Sequence, residues 1–265
     1  MATPEPEIDD TKMPLIDHLI ELRNRLVICV AVLAVAFLGC YFLAPTIYNI
    51  LMHPAVVALG ERAAERKMIF TAPQEAFTTN IKLALWAAFF ITFPVTAVQL
   101  WKFVAPGLYK HEQKVFAPFL VATPILFGAG TAFAYYLMLP AALKFFFSFE
   151  TPGGEGTLAI TAETRVGEYL SLVMTIILGL GVSFQLPVLL TLLIRAGMLS
   201  VETLATKRRI AFLVVTVLSA VLAPPDPGSM VLLMIPLYLL FEASIIVGRG
   251  IEKRRAEREA AEAAA

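Results

Sequence analysis

Long apolar runs, each close to the ~20 residues that cross a hydrocarbon core as a helix, recur along this whole 265-residue chain. In hydrocarbon every backbone N–H and C=O must find its partner inside the protein, so repeated runs of this kind specify helices. The expected fold class is all-α: a polytopic membrane protein. Composition agrees, with 58% apolar and 16% charged residues against the roughly 25% charged of a soluble domain. Lys plus Arg and Asp plus Glu balance at 21 each, which gives no ground for nucleic-acid binding. Where the charges lie is what matters.

Taken in order, residues 1–25 form an acidic start and an amphipathic segment expected in the cytoplasm. Met1 to Pro14 lacks the basic start and small-residue cleavage site of a secretory signal, so the first span is expected to be its own insertion signal. A transmembrane domain over 26–249 holds six expected spans, at about 26–44, 81–103, 116–138, 166–194, 210–223 and 229–247. Between the first two, an outer loop from Pro45 to about Asn80 carries Pro54 and a polar, helix-like patch over 61–67. Trp86 and Trp101 stand about 22 Å apart along the second span, near the two headgroup levels where Trp is enriched. Residues 140–150 read as a Phe-rich interfacial helix before the loop at 151–156. The fourth span, 29 residues and about 43 Å, must tilt or bend at Pro187. Pro224-Pro225-Asp226-Pro227-Gly228 then separates two short spans of 14 and 19 residues, a helical hairpin. A charged, Ala-rich tail closes the chain over 250–265.

Fifteen of the 21 Lys and Arg residues fall in the N-terminus, 102–114, 195–209 and the tail from 249; the other six fall in 45–82 and 139–165. The positive-inside rule then places both termini in the cytoplasm, which six spans permit. No internal repeat is evident, which weighs against the repeat-built secondary transporters.

The residues that carry chemistry are few. At helical spacing Leu15, Leu19, Leu22 and Leu26 share one stripe, with Asp17, Glu21, Asn24 and Arg25 opposite. This pattern predicts a helix along the membrane surface before the chain turns into the bilayer. Asp17 and Glu21, one turn apart, repel unless a cation sits over them. The plain alternative is a solvated face on which Arg25 pairs with Glu21. Gln185, in mid-span, needs hydrogen-bond partners, and the carbonyl freed by Pro187 is a local candidate. It serves either as a helix–helix contact or as a functional polar site. Glu242 is expected to pair with Arg249 or a loop cation, and Gln99 to join helices. Cys29 and Cys40, about 16 Å apart on one helix, cannot pair. The three histidines show no metal spacing, and His18-Leu19-Ile20-Glu21 lacks a second ligand at i+4. Without HExxH, GxSxG, a P-loop or an intramembrane aspartate pair, no enzyme activity, cofactor or metal is expected. The alternative of a small-solute transporter or channel subunit would need several polar positions converging in mid-membrane, where Gln185 stands alone.

Six ordered motifs resemble the TatC family, the multi-spanning core subunit of the twin-arginine protein translocase. They are residues 18–25 (HLIELRNR), 72–77 (APQEAF), 103–112 (FVAPGLYKHE), 169–171 (YLS), 181–187 (GVSFQLP) and 224–227 (PPDP). The resemblance covers about Leu15 to Arg249. It implies a protein of the prokaryotic plasma membrane that binds twin-arginine signal peptides of folded export substrates and nucleates a complex driven by the proton-motive force. Its recognition carboxylates would fall on Glu21 and Glu112, with Asp17, Arg23, Phe103 and Tyr109 as neighbours. Two carboxylates, one per guanidinium, make a preference for paired arginines intelligible, since lysine lacks the planar fork. The family's polar position in span four falls on Gln185, where many members carry Glu; an amide keeps the hydrogen bonding without a buried charge. The resemblance also implies single-span TatA- and TatB-type partners around spans five and six, near Thr216, Ser219 and Asp226, and further TatC copies.

Overall fold

The computed structural model describes residues 15–104, 113–151, 153–154, 158–224 and 226–263. The helices are α1 (Leu15–Phe42), α2 (Ala44–Leu59), α3 (Pro73–Val104), α4 (Gln113–Phe133), α5 (Leu139–Phe147), α6 (Val166–Ser183), α7 (Leu186–Arg195), α8 (Val201–Thr206), α9 (Arg208–Leu222) and α10 (Pro227–Ala263). Two isolated bridges, Ile69 with Arg165 and Thr151 with Ile160, are the extended pairings among the described residues. Five stretches are long and apolar enough to cross a membrane: Ile16–Phe42, Pro73–Phe103, Pro118–Phe147, Val166–Arg195 and Pro227–Arg254. The hairpin arm α9 has 15 residues, about 22 Å, short of the ~30 Å hydrocarbon core.

Several elements differ from the sequence pattern, each for a local reason. With no Pro or Gly between Leu15 and Leu38, nothing interrupts α1. The amphipathic start is therefore the first turns of one straight helix and not a separate surface helix. The loop expected after Pro45 is largely α2, because proline in a first helical turn sacrifices an N–H that has no intrahelical partner anyway. Pro54, inside α2, deprives the Ile50 carbonyl of its donor; the Tyr135 hydroxyl supplies the replacement at 2.7 Å. The polar run before Ile81 is also helical. Glu75 accepts from Thr71 N at 2.9 Å and Thr71 Oγ1 at 3.2 Å, capping the start of α3, and from Gly167 N at 3.2 Å, tying that start to α6.

Residues 134–138 form a π turn through which α4 continues into α5. The expected interfacial helix is thus a continuation of the third span, as a widened turn accommodates the missing N–H of Pro140. The helix at 166–195 breaks at Phe184–Gln185, and α7 restarts with Pro187 in its first turn. Asp226 caps α10, accepting from Ser229 N at 2.6 Å with Pro227 next in line. α10 then runs unbroken through the tail to Ala263.

The core is built around α6. Leu170, Val173, Ile176, Ile177 and Leu180 are at most 1% exposed and pack with Leu83, Met138, Leu139, Leu233 and Leu237. Small residues let backbones approach, as expected where lipid gives no hydrophobic drive between helices. Gly130 of α4 lies against the Leu180 carbonyl and Phe184, and Gly181 against Phe127. Both indoles serve the bundle: Trp86 Nε1 donates to the Met174 carbonyl at 3.1 Å and Trp101 Nε1 to Thr123 Oγ1 at 2.9 Å. They join α3 to α6 and α4, where their spacing alone suggested two headgroup belts.

Candidate functional site

Contacts bring the start of α1 to the end of α3 (Arg25 with Gln99), the end of α3 to the first half of α4 (Trp101 with Thr123), the α6–α7 break to the same threonine, and the α7–α9 connection to the second half of α10 (Val201 with Glu252, Arg208 with Glu242), so these segments share one end of the bundle. This end carries most of the basic residues. α1 packs chiefly against α3, which sets His18, Glu21 and Arg25 of α1 against Gln99 and Phe103 of α3. The residues at 18, 21 and 25 share one face, as do those at 99 and 103.

Glu21 Oε1 accepts from Arg25 Nε at 3.0 Å and also from Arg25 Nη2. Arg25 Nη1 reaches across to Gln99 Oε1 at 3.2 Å. Glu21 Oε2 is buried without a hydrogen-bond partner among the described residues. His18 Nδ1 stands 4.0 Å from it, and the His18 ring stacks on Phe103 with centroids 4.3 Å apart and planes 15° from parallel. A carboxylate with one oxygen engaged by Arg25 and the other buried beside an aromatic pair has acceptor capacity that a cationic donor can use where it replaces Arg25.

The remaining expected positions are more dispersed. Asp17 is exposed. Arg23 is exposed and donates to Asn24 Oδ1 at 3.3 and 3.4 Å. Tyr109 and Glu112 lie outside the described residues. The pairing of His18 with Phe103 and of Arg25 with Gln99 was not anticipated; the shared faces were its only trace in the sequence.

Gln185 Nε2 donates to the Thr123 carbonyl of α4 at 3.0 Å, while its Oε1 is buried without a partner. The partner is thus across the bundle and not the carbonyl that Pro187 frees. Thr123 also receives Trp101 and donates to the Phe119 carbonyl at 2.8 Å, so α3, α4 and the α6–α7 break meet at one polar knot. Glu242 takes a two-pronged contact from Arg208, Nε to Oε1 at 2.8 Å and Nη2 to Oε2 at 3.0 Å, with Tyr238 Oη at 3.2 Å. Further along α10 Glu252 accepts from Val201 N at 2.9 Å, pinning α8 to α10.

In the hairpin, the Thr216 hydroxyl donates to the Phe212 carbonyl at 2.8 Å. Ser219 is 0% and Asp226 4% exposed, and neither Ser219 Oγ nor Asp226 Oδ2 has a partner. These two are therefore interior groups. The outward surface of α9 is apolar, with Ile210, Leu213, Val214, Val217 and Val221 exposed. At the opposite end of the bundle Glu150 is clasped by Arg66, by Arg62 at 3.6 Å and by Ala162 N at 3.0 Å. Among the described residues no group of three or more His, Cys, Asp or Glu could hold a metal ion.

The family model described as Sec-independent protein translocase protein (TatC) matches residues 17–236. The chain is 46% identical over 255 residues to the Sec-independent protein translocase protein TatC of Magnetococcus marinus, covering 96% of this chain and 91% of that one. To the protein of the same name from Escherichia coli it is 38% identical over 242 residues, covering 91% and 90%. Among solved structures, a crystal structure of the twin-arginine translocase receptor TatC superposes with a TM-score of 0.73 at 34% identity, covering 89% of this chain and 99% of that one.

Proposed function

The chain belongs to the TatC family, and from that premise we propose that it works as the receptor and core subunit of a twin-arginine translocase, engaging signal peptides at the cytoplasmic face. The observation that carries the site is Glu21: a carboxylate at the basic end, held between α1 and α3, with one oxygen free of any donor. Glu21 would take one arginine of the pair and Glu112 the other. Phe103 and Tyr109 would flank them, and Asp17 would add acidic potential at the rim. A guanidinium suits this arrangement because it brings several N–H donors in a fixed plane, where an ammonium is a point charge.

The apolar segment of the signal peptide would then follow the helix wall towards Gln185, which acts as a neutral hydrogen-bonding position. TatA- and TatB-type single-span helices would assemble on the exposed apolar face of α9. The short α9 favours a locally thinned bilayer there, which lowers the barrier where folded cargo crosses. In this scheme both termini face the cytoplasm of a prokaryotic cell. Further copies of this chain would complete the assembly, with transport driven by the proton-motive force.

The test is binding of a labelled twin-arginine signal peptide to the purified protein in detergent, beside a twin-lysine version and the variants Glu21→Ala and Glu112→Ala. Binding lost in all three comparisons is the expected result. Binding indifferent to lysine and to both carboxylates would leave Glu21 as a solvated helix face and refute the proposal.

A further inference from the structure

We infer that Arg25 is a resident guanidinium ligand of Glu21, a self-contact that an arriving arginine must replace before it can be held. The inference rests on the reading of Glu21 as an arginine receptor and adds a competitor within the site. Arg25 presents to Glu21 the same group that the proposed ligand would, with Nε and Nη2 both directed at Oε1. The two side chains are about equally sheltered, 22% exposed for Arg25 and 21% for Glu21.

The other oxygen is not a simple second seat. Oε2 is buried, and the His18–Phe103 stack stands beside it. Oε2 has almost no exposed surface for an arriving cation, and both acceptor positions of Oε1 face Arg25, through Nε and Nη2. Docking therefore requires Arg25 to leave. Gln99 provides for this: its Oε1 already accepts Arg25 Nη1 at 3.2 Å, so Arg25 can give up Glu21 and stay tethered to α3 through the amide. Gln99, a neutral acceptor in an apolar helix, has a reason to be there on this account.

The consequence is quantitative. An internal competitor raises the Kd of every ligand of Glu21 by one common factor, since the same contact is broken whichever ligand arrives. A half-buried, charge-assisted pair one helical turn apart lies between an exposed i,i+4 pair and a buried fork, giving a factor of about three to ten. Arg25 thus sets how weakly a stray arginine is held, and leaves the preference for arginine over lysine untouched.

The experiment uses the full chain in detergent and a fluorescent peptide with two adjacent arginines followed by an apolar stretch. Arg25→Gln and Arg25→Lys are each measured alone and combined with Glu21→Gln, with size exclusion and thermal unfolding as checks on folding. Arg25→Gln is expected to lower the Kd about three- to tenfold, and Arg25→Lys, which loses the fork but keeps the charge, by less. Neither should change the Kd in the Glu21→Gln background, and a twin-lysine peptide should gain by the same factor. If Arg25→Gln fails to fold, Arg25→Lys carries the test alone. An unchanged or raised Kd in the Arg25 variants, with Glu21→Gln still weakening binding, overturns the competitor and makes Arg25 a positioning residue. If Glu21→Gln itself leaves binding intact, the receptor reading fails, and the competitor with it.

Discussion

Replacing Gly130 by Ala tests the seam on which the polar knot depends. A Cβ at Gly130 would stand 2.7 Å from the Leu180 carbonyl oxygen, 2.7 Å from Phe184 Cγ and 2.9 Å from Phe184 Cβ. The carbonyl belongs to the backbone of α6 and cannot rotate away, so the helices must part. Overpacking of this kind costs about 1–3 kcal/mol, occasionally more, against about 0.8–1 kcal/mol gained when Ala replaces Gly in a helix. Gly128, two residues earlier, would place its Cβ with nothing within 4 Å and should collect the propensity gain alone. The two substitutions are identical in chemistry and share a helix, so the propensity gain cancels and their difference isolates the close approach, at about 1–3 kcal/mol. Thermal unfolding in one detergent should show Gly128→Ala at or above the parent and Gly130→Ala clearly below it. Trp101 fluorescence is a second readout, because its indole bonds Thr123 on the displaced helix. Equal stability of the two variants would refute the packing of α4 on α6 described above.

Two further outcomes follow from the orphaned groups. Tyr135→Phe removes the hydroxyl that serves the Ile50 carbonyl and should cost about 1 kcal/mol; in a Pro54→Ala background, where an N–H is restored, the loss should largely vanish, and a loss undiminished there would sink the account. Glu150→Ala leaves Arg66 Nη2 and the Ala162 N–H without their Glu150 acceptor, although Arg66 Nη1 still reaches the Ala162 carbonyl at 3.3 Å, and should lower stability by about 2–3 kcal/mol, with Glu150→Gln losing less; a Glu150→Ala protein that unfolds with the parent would show the outer clasp to be ornamental.

The sites were legible to different depths. Gln185 stands out because polar groups inside an apolar span are scarce, whereas Glu21 is singled out by the acidic stripe only together with the TatC resemblance. Their partners could not be read. Arg25 as an i+4 neighbour of Glu21 is visible in the spacing, but its reach to Gln99 spans 74 residues of sequence. Gln185 finds Thr123, 62 residues away, although Pro187 leaves a nearer carbonyl. Ser219 and Asp226 look like surface groups in a polar turn, and the packing of the hairpin places both inside.

By itself the sequence determined the helical class, the recurrence of long apolar helices and the breaks near Pro187 and at Pro224 to Gly228. These follow from one-dimensional quantities: apolar run length against bilayer thickness, and prolines that lack a backbone donor. It also determined the charge bias that distinguishes the two ends. Only the tertiary structure decided that the segment after Pro45 is a helix, since it is Tyr135 from a distant helix that makes Pro54 tolerable there. It likewise decided which acceptor each polar side chain uses. That choice depends on how far each helix is rotated about its axis and slid along its neighbour. Rotation and slide are set where backbones touch, at Gly130 against Leu180 and Gly181 against Phe127, and no hydropathy pattern encodes them.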